Sequence, residues 1–196
     1  GFGSRGTEGK IEAIRYAREE GVPFLGLCLG FQLAVVEHAR NLVGLDGANS
    51  TELDGDTPHP VIDILPEQKE LDDMGGTMRL GAHETQIVEG TLAHDIYDAT
   101  SCVERHRHRY EVNPAYIDRL ESEGLAFSGS AGPRMELLER EDHPFFLGTQ
   151  FHPEFRSRPD RPSPPFVGFL DAVLDNAGVE AEAVEEREDE SEGVTA

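Results

Sequence analysis

A cysteine between two glycines is the residue of this chain whose setting most favours chemistry. Cys28 lies at the centre of Gly26–Gly30 (GLCLG), after an apolar segment and before a helical pattern. A nucleophile on a tight strand-to-helix turn projects from the end of a sheet, and small residues two positions away on each side permit that turn. The N-terminus of the next helix favours a thiolate and can hold an oxyanion. The motif predicts a cysteine nucleophile rather than a small buried cysteine.

A histidine and a glutamate two residues apart supply the base that a cysteine nucleophile needs. His152 and Glu154 lie in Gln150–Glu154 (QFHPE), at the end of an apolar segment. Residues i and i+2 of an extended chain face the same way, so Glu154 can orient the imidazole and stabilise its protonated form. A surface pair would explain these two residues alone, but together with Cys28 they favour a Cys–His–Glu triad. An α/β-hydrolase is disfavoured, because its acid precedes its histidine.

The densest basic run, Arg105–Arg109 (RHRHR), allows two interpretations. In an extended strand its three arginines share one face and can bind a carboxylate or a phosphate. Alternatively, the run is a solvated strand with neighbouring acids such as Glu104 and Glu111. His106 and His108 could ligate a metal, but no cysteine or carboxylate spacing supports this, so no metal site is predicted.

Three further features carry weaker signals. The loops Gly1–Gly6 and Gly75–Gly81 each hold an arginine among glycines and could cradle an anion, although neither is a Walker loop. Cys102 lacks flanking glycines and is predicted to serve packing.

The elements that position these residues alternate between helix and strand, which is typical of an α/β fold. A helix is predicted over Thr7–Glu20, with Thr7 as N-cap and Gly21 as its stop. A strand over Val22–Leu27 and a helix over Leu29–Val43 enclose Cys28. Further strands are predicted at Val61–Leu65, Thr77–Val88, Ser101–Val112, Phe127, Met135–Leu138 and Phe145–Phe151, and further helices at Thr91–Tyr97, Pro114–Glu123 and Phe166–Asn176.

The 196-residue chain is strongly acidic, with 39 Asp and Glu, 17 Lys and Arg, and a net charge of −22. Its only lysines are Lys10 and Lys69, and this composition favours a protein kept soluble at high salt, as in a halophile. The charge argues against nucleic-acid binding, and no apolar run is long enough to span a membrane. Two cysteines are too few for a disulfide scaffold, so a cytoplasmic location is predicted.

One domain is predicted over residues 1–177, followed by an acidic disordered tail over 178–196. The chain begins with Gly1 rather than Met, and Gly1–Gly6 looks like the middle of a glycine loop. We therefore expect a fragment that is poorly folded or inactive on its own.

The cysteine motif and the QFHPE segment resemble the triad of class I glutamine amidotransferases. Four other segments resemble the amidotransferase domain of the CTP synthase family: Gly1–Lys10, Ala48–Glu52 (ANSTE), Gly75–Gly81 (GGTMRLG) and Glu104–Asn113 (ERHRHRYEVN). The resemblance implies an α/β fold in three layers, flavodoxin-like and lacking its N-terminal strands. It runs from Gly1 to about Asn176.

The resemblance also implies roles for individual residues. Cys28 would attack the glutamine carboxamide, His152 would move the proton, and Glu154 would orient His152. Residues implied to contact glutamine are Gly1, Leu29, Gln32, Glu52 and Arg109. Among these, Leu29 and Gly1 would donate the two backbone N–H groups of an oxyanion hole.

For the whole protein, the resemblance implies glutamine-dependent amination of UTP to CTP, with this chain supplying ammonia. ATP, magnesium and UTP would bind a synthetase domain that precedes this chain, so no cofactor is predicted here. GTP would act as activator, with Gly75–Gly81 in the responding lid, and the enzyme would be a homotetramer.

Two other functions remain open on the sequence. Another class I amidotransferase or a γ-glutamyl hydrolase would share Cys28 and His152. A binding module that kept the fold without activity is disfavoured by the intact set of Cys28, His152 and Glu154.

Overall fold

The structure is a computed structural model that describes residues 5–65 and 78–179. In these ranges the α-helices are α1 (Thr7–Glu20), α2 (Leu29–Asn41), α3 (Leu92–Tyr97), α4 (Ile117–Glu121) and α5 (Pro164–Asn176), with 3-10 turns at Pro114–Tyr116 and Pro153–Phe155. The strands are β1 (Phe24–Leu27), β2 (Asn49–Ser50), β3 (Pro60–Asp63), β4 (Arg79–Ile87), β5 (Ser101–His108), β6 (Glu111–Val112), β7 (Ala126–Ala131), β8 (Arg134–Glu139) and β9 (Phe146–Thr149). None of the described helices is both long and apolar enough to cross a bilayer.

Two sheets organise the described chain. The larger has the order β1-β9-β8-β7-β4-β5, in which β1 and β9 are parallel and every other neighbouring pair is antiparallel. The smaller sheet pairs β2 with β3 in parallel and β3 with β6 in antiparallel fashion. The parallel pair matters most for the site, because the carboxyl ends of β1 and β9 meet at the same edge of the sheet.

Helices cover both faces of the larger sheet. Alternate residues of its strands point to opposite sides, so Leu138 and Phe146 join the core under α1 and α2. Leu137, Phe145 and Leu147 join a second core under α3 and α5. The predicted three-layer α/β architecture is therefore confirmed.

Local chemistry explains most helix bounds and corrects one predicted cap. Gly21 ends α1 in the left-handed conformation with φ 65°, as the sequence predicts. The predicted N-cap Thr7 is wrong: Thr7 is already helical and buried, and Gly6 caps the helix with φ 72°. Thr91 caps α3 by accepting a hydrogen bond from the N–H of His94.

Several predicted bounds shift by a few residues. The first strand begins at Phe24 rather than Val22, and α2 ends at Asn41 rather than Val43. The predicted helix Pro114–Glu123 is divided into a 3-10 turn and α4. Element ends are the least constrained part of such predictions, because capping and tertiary contacts decide them.

Candidate active site

The turn between β1 and α2 holds Cys28 in a backbone conformation that L-residues rarely adopt. Cys28 caps α2 with φ 51° and ψ −98°, and the surrounding structure must hold such a conformation in place. Gly26 is required there, because a Cβ at this position would lie 2.8 Å from the backbone carbon of Gly30. The predicted strand, sharp turn and helix are confirmed.

Gly30, unlike Gly26, is not required to be small. A Cβ at Gly30 would meet no atom within 4 Å, so the prediction that a small side chain is needed there is wrong. The backbone of Gly30, rather than its lack of a side chain, is what approaches Gly26.

Cys28 lies in the wall of a small cavity of about 190 Å³. This is below the range of roughly 300–1,000 Å³ that is typical for drug-sized ligands, so the cavity suits a ligand the size of an amino acid. It brings together the predicted residues Cys28, Leu29, Gln32, Glu52 and Arg109, beside Met78, His108 and Tyr110. An α-amino acid carries both charges that Glu52 and Arg109 would complement.

Three separate elements deliver these side chains. Gln32 lies four residues after Cys28 in α2, on the same helix face. Glu52 follows β2, where its N–H donates to the Ser50 hydroxyl at 3.2 Å. Arg109 is an exposed residue that directly follows β5.

His152 and Glu154 lie at the end of the neighbouring strand. The N–H of Cys28 donates to the carbonyl of Thr149 at 2.7 Å, which fixes the start of the elbow against the end of β9. The Nδ1 of His152 lies 2.7 Å from a carboxylate oxygen of Glu154. The His152 side chain is 17% exposed, and Glu154 holds its Nδ1 side. Neither residue lines the cavity described above.

Comparison with known proteins identifies the family. The family model for Glutamine amidotransferase class-I matches residues 1–172.

The chain belongs to the class I glutamine amidotransferase family.

Relatives of this amidotransferase domain carry one shared name. This chain is 73% identical over 179 residues to the CTP synthase of Halobacterium salinarum, and the match covers 91% of this chain and 32% of that protein. It is 74% identical to that of Haloarcula marismortui, covering 89% and 32%, and 68% identical to that of Archaeoglobus fulgidus, covering 89% and 33%. The chain thus spans about a third of the length of the curated relatives it matches. The halophilic relatives agree with the high-salt prediction.

One solved structure supports the same family, and a second shares the fold. The glutaminase domain of Trypanosoma brucei CTPS, with bound acivicin, has a TM-score of 0.85 and 40% identity, covering 93% of this chain and 70% of that one. A GMP synthase protein from Thermoplasma acidophilum has a TM-score of 0.54 and 14% identity, covering 87% and 67%, and so shares the fold.

The protonation of Cys28 in this amidotransferase departs from the expectation of a thiolate. Burial, the largest effect, raises the pKa of the thiol to about 11, although a hydrogen bond from the Leu29 backbone N–H lowers it. The charges of Glu154 and Glu52 raise the pKa further. The sulfur is therefore a thiol at neutral pH, and a base must take its proton during attack.

The residues of the basic run Arg105–Arg109 lie on two opposite faces of the chain, one exposed and one buried. Arg105, Arg107 and Arg109 are exposed together, as alternation predicts, while His106 and His108 are buried on the opposite face. The alternative of a solvated strand is therefore wrong for the second face. Burial lowers the pKa of both histidines, with the Arg79 charge as the next cause, so both are neutral.

A buried carboxylate that the sequence analysis missed lies against these histidines. Glu136 on β8 pairs with the Arg79 guanidinium, and its other oxygen lies 3.5 Å from Nδ1 of His106. That nitrogen is also 3.0 Å from Nε2 of His108. The signal in the sequence is faint, because Glu136 lies on a strand that is distant along the chain.

Within residues 5–65 and 78–179, one group that could hold a metal is formed by His106, His108 and Glu136. Their ligand atoms lie within 4.8 Å of one another. The adjacent guanidinium of Arg79 opposes a cation, and the histidine nitrogens already face each other. We interpret the cluster as a buried hydrogen-bond network, and the absence of a metal site stays a prediction.

Other predicted features lie partly outside the described residues. Gly1 and the first half of Gly75–Gly81 are outside, as is the predicted tail from residue 180 onward. Cys102 is half-buried, and burial raises the pKa of its thiol to about 12. Cys102 packs against the core under α3 and α5, as the sequence predicts.

Proposed function

We propose that this chain is the glutamine-hydrolysing domain of a CTP synthase and supplies ammonia for the ATP-dependent amination of UTP. The observation that carries the proposal is the cavity in which Cys28, at the start of α2, meets Gln32, Glu52 and Arg109. The relatives named CTP synthase and the T. brucei glutaminase domain support it.

Glutamine would bind with each charged group opposite its complement. Arg109 donates hydrogen bonds to the α-carboxylate, and Glu52 accepts hydrogen bonds from the α-ammonium group, while Gln32 hydrogen-bonds the bound amino acid. The side-chain carboxamide then lies beside Cys28. The N–H of Leu29 donates to the developing oxyanion, and Gly1, outside the described residues, is proposed as the second donor.

Acylation begins when Cys28 Sγ attacks the carboxamide carbon while the free nitrogen of His152 accepts the thiol proton. The C=O pair moves to oxygen, and Leu29 stabilises the oxyanion. Collapse breaks the C–N bond, His152 returns the proton to nitrogen, and ammonia leaves a thioester on Cys28. Glu154 stabilises the transient imidazolium through its 2.7 Å contact.

Deacylation uses the same groups in reverse. His152 takes a proton from water, the hydroxide oxygen adds to the thioester carbon, and the C–S bond breaks. Cys28 recovers the proton from His152, and glutamate is released. No metal or cofactor is needed for either half of this reaction, and none is proposed for this chain.

The remaining two thirds of the relatives' length would carry the synthetase reaction. We propose that this part binds ATP, Mg²⁺ and UTP, that GTP activates the enzyme, and that it is a cytoplasmic homotetramer. The ammonia released at Cys28 would pass to that part, which this chain does not contain.

The decisive experiment measures CTP formation by the full-length protein in molar KCl. Glutamine and ammonia are compared as nitrogen sources, in wild type and in Cys28→Ala. We expect Cys28→Ala to lose the glutamine reaction by at least about a thousandfold and to keep the ammonia reaction.

Cys102→Ala is the matched control, since it removes the other cysteine and should leave both reactions intact. CTP formation from neither source in wild type would overturn the CTP synthase assignment and point to another class I amidotransferase or a γ-glutamyl hydrolase. Glutamine-dependent activity that survives in Cys28→Ala would overturn the role of Cys28.

A further inference from the structure

A row of side-chain amides lies beneath the cavity and ends on the cysteine sulfur. Nε2 of Gln32 lies 3.1 Å from the carbonyl oxygen of Tyr110 and 3.2 Å from Oε1 of Gln150. Nε2 of Gln150 lies 3.8 Å from Sγ of Cys28. Gln32 is 3% exposed and Gln150 0% exposed, so solvent does not compete for these contacts.

The orientation of the two side-chain amides follows from the contact between Gln32 and the Tyr110 carbonyl. The Tyr110 carbonyl can only accept a hydrogen bond, so the part of Gln32 that faces it must be the NH₂ group. The same NH₂ group faces Gln150, whose contacting atom must therefore be the carbonyl oxygen. The amide of Gln150 is then left with its own NH₂ group toward the sulfur, and the assignment of both amides rests on a backbone atom.

The backbone on each side holds Gln150 in this orientation. Its N–H donates to the carbonyl of Glu136 at 2.8 Å. Phe151, the next residue, is fully buried in the core under α3 and α5. Gln150 thus reaches the Cys28 sulfur, while Phe151 packs into that core.

A donor at this place would act on the charged form of the cysteine. Hydrogen bonds to an ionised group favour ionisation, and their effect grows in surroundings that exclude water. Burial opposes a thiolate at Cys28, and apart from Leu29 N–H, Gln150 is the donor that the described contacts provide to the sulfur. His152 moves the proton but does not replace this donor.

We propose that Gln150 donates a hydrogen bond to Cys28 Sγ and stabilises the thiolate that forms during attack and departure, with Gln32 holding the donor in place. This inference rests on the proposed glutaminase function, because it treats Cys28 as the nucleophile. It adds a catalytic group to the QFHPE segment, which then carries both the thiolate donor and the base.

The test is the pH dependence of Cys28 alkylation in the full-length protein. Gln150→Met keeps the length of the side chain and removes the N–H donor without burying a charge. The rate of reaction with iodoacetamide is followed by mass spectrometry of the peptide that contains Cys28. We expect the midpoint of the rate–pH curve to rise by about one pH unit, and kcat for glutamine to fall by about tenfold.

Two further variants keep the result interpretable. Gln86→Met makes the same substitution at an exposed glutamine of β4 and should leave the curve unchanged. Gln150→Glu keeps the shape of the side chain and places an acceptor at the sulfur, so its midpoint should exceed that of Gln150→Met. If Gln150→Met does not fold, as judged by insolubility or by rapid proteolysis of this domain in the full-length protein, Gln150→Glu against wild type decides.

The outcomes separate this inference from the proposed function. An unchanged midpoint in a folded Gln150 variant, with glutamine hydrolysis in wild type, overturns the role of Gln150 alone. A raised midpoint supports the contact whatever the acceptor of ammonia. Failure of the proposed function appears elsewhere, as glutamine hydrolysis that is absent from wild type or that persists in Cys28→Ala.

Discussion

A single short hydrogen bond decides which nitrogen of His152 can move a proton. Nδ1 lies 2.7 Å from Glu154, so a carboxylate there keeps the proton on Nδ1 and leaves Nε2 as the base. Glu154→Gln can instead donate its amide N–H to Nδ1 and favour the wrong tautomer. We predict that kcat for glutamine falls by about a hundredfold or more while KM changes little, measured by steady-state glutamine hydrolysis in the full-length protein.

The control for this variant is Glu84→Gln, which neutralises an exposed acid of β4. It should keep wild-type kcat. A Glu154→Gln enzyme with raised KM and normal kcat would contradict the proposed role, because that pattern indicates lost glutamine binding rather than lost proton transfer.

At the residue scale, sequence reasoning works where a role is local. Cys28 is recognisable from its flanking glycines, and His152 from its glutamate two residues later. Gln150 is missed, although it lies in the same segment, because its role depends on Gln32, which is 118 residues away in the chain. A glutamine side chain has no charge and no sequence motif that indicates its hydrogen-bond partner. Only the fold shows whether its NH₂ group or its carbonyl oxygen faces a given neighbour.

At the element scale, the elbow makes a prediction from two glycines of one motif. A Cβ at Gly26 would meet the backbone of Gly30 at 2.8 Å, whereas a Cβ at Gly30 would meet nothing within 4 Å. Gly26→Ala should therefore destabilise the protein by about 1–3 kcal/mol or displace the turn. Gly30→Ala should be neutral or stabilise α2 by up to about 1 kcal/mol.

Chemical denaturation of the full-length protein and glutamine hydrolysis would measure both effects. The two variants add the same methyl group four residues apart, so each is the control for the other. Equal loss of stability in both would show that backbone flexibility, rather than the contact between residues 26 and 30, governs the turn.

Elements with local stop signals are predicted well from the sequence, and elements whose inner face is polar are not. The bounds of α1 follow from its apolar spacing and from Gly21. Along β5 and the residue after it, alternation predicts correctly that Arg105, Arg107 and Arg109 share one face. It does not show that the histidine face is buried, because that burial depends on Glu136 and Arg79 from other strands.

At the scale of the whole molecule, the net charge of −22 predicts a dependence on salt. Charges repel over about 10 Å at 0.1 M salt and about 3 Å at 1 M, so self-repulsion weakens as KCl rises. We predict that the temperature of half-inactivation of glutamine hydrolysis rises steeply between 0.1 M and about 2 M KCl. Activity remaining after timed heating at each KCl concentration measures this.

Neutralising exposed acids provides the matched variant. Replacing Glu20, Glu84, Glu89 and Glu121 by glutamine changes the chain charge from −22 to −22 + 4 = −18. The salt dependence of this variant should be weaker than that of wild type. A half-inactivation temperature with the same salt dependence in both proteins would assign the effect to something other than self-repulsion.

The buried pair of Arg79 and Glu136 restricts how this sequence can evolve. The two residues are 57 positions apart, and their side chains are 10% and 0% exposed. Losing either partner leaves the other charge alone in the interior, at a cost of about 3–5 kcal/mol. That is a large part of the stability of about 5–15 kcal/mol that a domain has. A substitution at only one of the two positions is therefore selected against. Across lineages, the two residues should be retained together or exchanged as a pair.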